Sequence, residues 1–308
     1  MRFRLLPLAA AALFSSCGDD SDLPPMVSGG GVNNSYADAL YEKAQAYEQA
    51  GKRSKAIKQY DKLADSVPLG EKAPEARYRQ AKLLEEEGET LKAFDAYQDL
   101  ITRYQGSGHY QEALDAQSRM AFAAADGDIK NSFLGLKSKL SPDKIAGMLQ
   151  KVADNAPRST LAARAEYKMG DIYAERKDVN KAVIAYRGVV ENYPDSPIAP
   201  EAQFRIGEIL MKQAQEGNQD QANLNRAREA FLDYLSQFPG HKRNAEAHNL
   251  LKILSNRDIK NTYDIAQFYE KKGDTESAKF YYQEVMRETK SGEYYDKSKA
   301  RLAALGGN

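Results

Sequence analysis

Small, aromatic and aliphatic positions recur along this chain at fixed offsets. Ala44, Tyr47, Gly51, Ala56, Tyr60, Leu63 and Pro68 return 37 residues later as Ala81, Leu84, Gly88, Ala93, Tyr97, Leu100 and Gln105. The same offsets give Gly170, Tyr173, Lys177, Ala182, Tyr186, Val189 and Pro194, and again Ala266, Tyr269, Gly273, Ala278, Tyr282, Val285 and Lys290. Positions three and four apart share one face of a helix. Each unit therefore predicts a helix A carrying a small residue, a turn, and a helix B carrying Ala, an aromatic and an aliphatic. Gly51, Gly88 and Gly273 suit that turn, because positive φ is cheap only for glycine. Pro68, Pro157, Pro194 and Pro239 predict the end of helix B, since proline bars the residue before it from α geometry.

Two further units fit with insertions. Gly207, Leu210, Ala227, Phe231, Tyr234 and Pro239 keep the pattern with eight extra residues, expected as a polar Gln213–Asn225 loop. Ser118, Ala121, Ile145, Leu149, Val152 and Pro157 keep it with 15 extra residues around Ile129 to Leu136. Phe133, Leu134 and Leu136 are costly to leave in water. A short extra helix is the expected packing, with a partner contact as the alternative. After Pro239, Ala245–Leu254 predicts one helix and Asn261–Lys271 the next. Glu293–Leu305 predicts a last amphipathic helix. Its Lys297, Lys299 and Arg301 suit either the wet face that closes an array or a docking surface.

A fixed period of this size means stacked helical hairpins, each too thin to bury its apolar edge alone. The offsets resemble the tetratricopeptide repeat. The implied fold is an all-α, right-handed solenoid of about six hairpins over residues 36–305, with a C-terminal capping helix. Such arrays present an extended concave surface. The position three before the small residue of helix A is aromatic in five units: Tyr41, Tyr78, Tyr167, Phe204 and Tyr263; Asp115 breaks the series. The resemblance implies that this position faces the concave groove. Beside Gln45, Lys82, Asp171, Glu208 and Gln267, such a ladder would hold an extended peptide by apolar contact and amide hydrogen bonds. The competing expectation is that each ring packs on the neighbouring helix.

Composition adds exclusions. With 44 basic and 44 acidic residues, no whole-chain field favours nucleic acid. Charged residues make up 29% and apolar residues 42%, which suits helices that bury one stripe and wet the other face. The three histidines, His109, His241 and His248, have no helical ligand spacing and read as solvated or capping residues. Glu85, Glu86 and Glu87 read as a wet helix end. No nucleophile–base pair, metal set or phosphate loop stands out, so no catalytic residue, metal or cofactor is expected.

The N-terminus is a separate segment. Arg2 and Arg4 precede an apolar run from Leu5 to Phe14, too short to span a bilayer, and Ser15 and Ser16 follow. Residues 1–16 thus read as a secretory signal. Cys17 is the only cysteine and cannot form an internal disulfide. Leu13-Phe14-Ser15-Ser16-Cys17 resembles a bacterial lipobox, with Phe14 where Leu is usual. The resemblance implies an acylated Cys17 and, with Gly18 next to it, the periplasmic face of the outer membrane. Residues 17–35, rich in Asp, Pro, Gly and Asn, read as a flexible tether.

The stretch from Tyr193 to Ala202 resembles two extracytoplasmic bacterial families. One is the BamD-type lipoprotein of the outer-membrane β-barrel assembly machinery; the other is the periplasmic Tol-Pal-associated coordinator. Tyr263-Asp264-Ile265-Ala266-Gln267-Phe268-Tyr269-Glu270-Lys271-Lys272-Gly273, followed by Ala278-Lys279-Phe280-Tyr281-Tyr282, is more similar to the BamD type, as is the lipobox. The resemblance implies a scaffold bound to barrel-assembly subunits or unfolded outer-membrane proteins. The coordinator type implies binding of envelope proteins instead.

Overall fold

The computed structural model describes residues 34–133, 136–216 and 221–306. The expected signal segment, Cys17 and the tether up to residue 33 lie outside them. Asn34 and Ser35, expected in the tether, already belong to the first helix.

The helices divide into two compact units, parted after Tyr110. The first holds α1 (Asn34–Gln49), α2 (Arg53–Ser66), α3 (Ala73–Glu86) and α4 (Thr90–Arg103). α1 packs on α2, α2 on α3 and α3 on α4, so two hairpins stack. The second unit holds α5 (Tyr110–Ala125), α6 (Pro142–Asn155), α7 (Thr160–Glu175), α8 (Val179–Asn192), α9 (Ala199–Glu216), α10 (Gln221–Gln237), α11 (Asn244–Lys271), α12 (Thr275–Glu288) and α13 (Glu293–Ala304). From α6 to α13 each helix packs on the next. The Asn155 side chain joins α6 to α5 by donating to Gln117 at 2.7 Å. The expected all-α repeat array is met.

Each hairpin closes on the residues its pattern singled out. Ala44, Ala56, Tyr60 and Leu63 are fully buried, as are Ala81, Ala93 and Leu100, and Ala266, Ala278, Tyr282 and Val285. Where helix A carries glycine, the helix B ring lies directly on it. A Cβ on Gly170 would sit 2.5 Å from the Tyr186 ring, and one on Gly207 2.5 Å from Phe231. The turn glycines Gly51, Gly88 and Gly273 have φ of 70°, 74° and 78°. Lys177 holds the same turn at φ 60°, at the strain that β-carbon sterics impose there. In the first unit Arg77 of α3 is buried between α2 and α4. It pairs with Asp61 at 2.8 Å and Asp99 at 2.7 Å, and also with Asp65.

Three expectations are corrected. The 15-residue insertion forms no helix around Phe133. Its described backbone is an antiparallel pair, β1 (Lys130–Phe133) and β2 (Leu136–Lys139), with Phe133 opposite Leu136; Leu134 lies outside the described residues. A link of two residues that includes a glycine, Gly135, favours a hairpin, whereas so short a run is a poor helix nucleus. The Gln213–Asn225 loop is mostly helix: α9 runs to Glu216 and α10 starts at Gln221. Finally, Ala245–Leu254 and Asn261–Lys271 are one 28-residue helix, α11. The stretch between them contains no Gly or Pro to break it.

Candidate functional site

The rings of the expected groove ladder all take part in packing within their hairpins. Each of its rings meets the helix B ring of its own hairpin. Centroids are 5.8 Å apart for Tyr41–Tyr60, 6.5 Å for Tyr78–Tyr97, 5.2 Å for Tyr167–Tyr186, 5.2 Å for Phe204–Phe231 and 5.5 Å for Tyr263–Tyr282. Interplanar angles between 58° and 63° put ring edges toward ring faces, as quadrupoles prefer. Phe204 is 0% and Tyr263 7% exposed, so neither offers a face to a peptide in this structure. Tyr41, Tyr78 and Tyr167 are half-buried.

Four of the five rings also meet a second residue further along the chain. Lys72 Nζ lies 5.3 Å from the Tyr41 centroid, and the His109 ring stacks on Tyr78 at 3.9 Å. The Arg243 guanidinium lies 3.5 Å from the Phe204 centroid, and Tyr294 lies 5.4 Å from Tyr263. Lys72, His109 and Tyr294 each follow their ring by 31 residues. Arg243 follows by 39, which is 31 plus the eight inserted residues. Ile198 holds the same position after Tyr167 and packs on the same core cluster. Sequence reasoning missed this covering position because its residue type varies; its constant offset was the available sign.

Polar partners fix these covers. His109 Nε2 lies 2.5 Å from Glu75 Oε2. Arg243 donates to Glu201 at 2.7 Å, Glu208 at 2.8 Å and Glu246 at 2.8 and 2.9 Å, joining α9 to α11. The hydrogen bond to Glu246, then that to Glu208, hold the guanidinium above its ordinary pKa against burial, so it stays charged. Arg205 donates to Tyr167 at 3.4 Å and to Glu208 at 3.2 Å. His241 is also fixed, 2.6 Å from the Tyr234 hydroxyl, whereas His248 is exposed. Of the expected companions, Gln45 is exposed and Lys82, Asp171, Glu208 and Gln267 are half-buried.

Buried helix B tyrosines need a partner for the hydroxyl. A helix A carboxylate supplies it: Tyr60 donates to Glu48 at 2.8 Å, Tyr97 to Glu85 at 3.0 Å, Tyr282 to Glu270 at 2.6 Å and Tyr186 to Asp171 at 2.6 Å. The expected wet cluster at Glu85 is therefore in part structural. Burial, first, pushes the Tyr282 phenol up to about 12 and raises Tyr60 and Tyr186 as well. Among the described residues no group of three His, Cys, Asp or Glu side chains is placed to hold a metal, and no helix is long and apolar enough to cross a membrane.

One apolar surface is left over at α11 and α12. Phe268 is 50%, Phe280 53% and Ile265 42% exposed. Tyr269 and Tyr281 stack between the two helices at 5.4 Å and 3°. Phe268 meets Tyr269 at 5.4 Å, and Phe280 meets Tyr281 at 5.2 Å. The four rings form a continuous row, Phe268–Tyr269–Tyr281–Phe280. The core cluster of this hairpin takes in Tyr269 and Tyr281 but not the two outer rings.

Residues 41–108, 164–196 and 262–291 each match a family model described as tetratricopeptide repeat. The chain carries tetratricopeptide repeats. Repeats of this kind bind protein partners, so a protein–protein interaction role follows at that level. Similar solved structures include MamA 41-end from Desulfovibrio magneticus RS-1, at 15% identity and TM-score 0.30, over 67% of this chain and 97% of that one. A thermophilic repeat protein of Thermus thermophilus aligns at 17% identity and TM-score 0.31, over 70% and 98%. The C-terminal part of a repeat-containing protein from Cytophaga hutchinsonii aligns at 14% identity and TM-score 0.35, over 85% and 87%. These likenesses carry no argument about function. No curated protein matches the chain at a significant level.

Proposed function

We propose that the chain is a non-enzymatic scaffold of outer-membrane β-barrel protein assembly, held by a lipid on Cys17 at the periplasmic face of the outer membrane. The observation that carries this reading is where the BamD-like stretch puts its apolar side chains. Tyr263, Ala266, Ala278 and Tyr282 of that stretch are buried, as the repeat requires. Ile265, Phe268 and Phe280 of the same stretch stand out in solvent, which the repeat does not require. Apolar surface without a role in the fold marks a partner site. The segment from Arg2 to Cys17 supports the anchor. Several acyl chains hold a protein on a membrane firmly where a single one would not.

The test is affinity purification of the full chain from solubilised membranes, beside a Cys17→Ser variant. The expected result is a large β-barrel subunit with periplasmic repeats in the eluate, and release of the variant into the soluble fraction. An eluate holding envelope-constriction proteins and no barrel subunit would instead support the Tol-Pal coordinator reading.

A further inference from the structure

We infer that the Phe268–Tyr269–Tyr281–Phe280 row is a docking site for an acidic amphipathic protein segment, one presenting aliphatic side chains with carboxylates beside them. This rests on the scaffold reading and names the chemistry of the segment its partner supplies.

The apolar half of the argument is geometric. Tyr269 and Tyr281 face each other across the hairpin. Phe268 and Phe280 each precede their tyrosine by one residue. A step of one residue turns by about 100° along an α-helix, and in two antiparallel helices the two steps turn toward the same side. Phe268 and Phe280 therefore share one face, with Ile265 one turn before Tyr269 on α11. The face is a strip of two rings and an aliphatic, floored by two stacked tyrosines. A segment whose apolar residues recur at helical spacing matches it.

The charged half fixes the sign of the partner. Four carboxylates around the strip have a cation of their own, and Asp274 keeps its charge as a helix cap. Asp264 pairs with Lys260, Glu276 with Lys279 at 3.6 Å and Glu284 with Arg287 at 3.0 Å. Glu270 is held by Tyr282 and Arg301, and Asp274 caps α12 through Ser277. Lys271 and Lys272 have no such carboxylate among the described residues. Lys272 Nζ stands 4.6 Å over the Phe268 ring, at the edge of the strip. At the Phe268 end of the strip, two lysines against the one capping carboxylate Asp274 leave the charge positive. An anionic membrane would also attract lysines and aromatics, but the strip is one hairpin wide, two rings and an aliphatic, which is the footprint of a single protein segment.

The test uses the full chain and two fluorescent synthetic helical peptides, one with Leu along one face and Glu flanking it, the other with Lys for Glu. Phosphatidylglycerol vesicles form a third arm. The expected result is saturable binding of the acidic peptide, about tenfold or more weaker for the basic one and for Phe268→Ser/Phe280→Ser. Thermal unfolding should be unchanged in that variant, since both rings are half outside. Lys271→Glu/Lys272→Glu should reverse the preference between the peptides. No binding of the acidic peptide, equal binding of both, binding indifferent to these substitutions, or binding of vesicles only would each overturn the proposal. Co-purification of a barrel subunit can fail while the peptide result stands, so the two readings fall separately.

Discussion

At the residue scale, the repeat is a set of fitted pairs. Gly207 is needed because the Phe231 ring fills the space a Cβ would take. Gly207→Ala should lose about 1–3 kcal/mol to overpacking, even though Ala is the better helix former, and urea denaturation reads it. The buried phenols give a pH signature. Tyr282 ionises near 10 in an unfolded chain and at about 12 in the fold, raised first by burial. A pKa raised by folding contributes stability that is complete below 10 and is lost as pH climbs toward 12. Stability should therefore be level from neutral pH to about 10 and then fall. Tyr282→Phe should make that fall shallower, which denaturant midpoints across alkaline pH would record.

At the element scale, hairpins are joined by the residue that starts the next one. Arg243 is the clearest case: it covers Phe204 and gathers Glu201, Glu208 and Glu246. Arg243→Ala should cost about 2 kcal/mol or more, because three carboxylates lose their shared cation in a partly buried place. A single added Glu201→Gln should recover part of the loss, and thermal unfolding would show it. The helices themselves were legible in the sequence because Ala44, Tyr60 and Leu63 recur with a helical face and Gly51 closes the turn. The covers were not, because Lys72, His109, Ile198, Arg243 and Tyr294 share a position but no chemistry. Neither was the continuity of α11, since the apolar pattern lapses between Leu254 and Asn261, where Ile259 is the one apolar residue. The insertion at residue 130 misled because a short apolar run has no period of its own.

At the scale of the whole molecule, the same residue type does two jobs. Aromatics at the ladder position hold hairpins together, and aromatics one step outside the repeat pattern, Phe268 and Phe280, face water. The stretch from Tyr263 to Tyr282 holds both kinds, and burial separates them. A peptide groove along Tyr41, Tyr78 and Tyr167 would have to use half-buried rings that already meet Tyr60, Tyr97 and Tyr186. The most direct measurement compares Phe204→Ala with Phe268→Ser/Phe280→Ser in the full chain, reading thermal unfolding and partner capture on the same samples. The account predicts that Phe204→Ala loses about 3–5 kcal/mol of stability while its folded fraction still captures partner, and that the surface pair keeps its stability and loses capture. Full stability in Phe204→Ala, or undiminished capture by the surface pair, would contradict it.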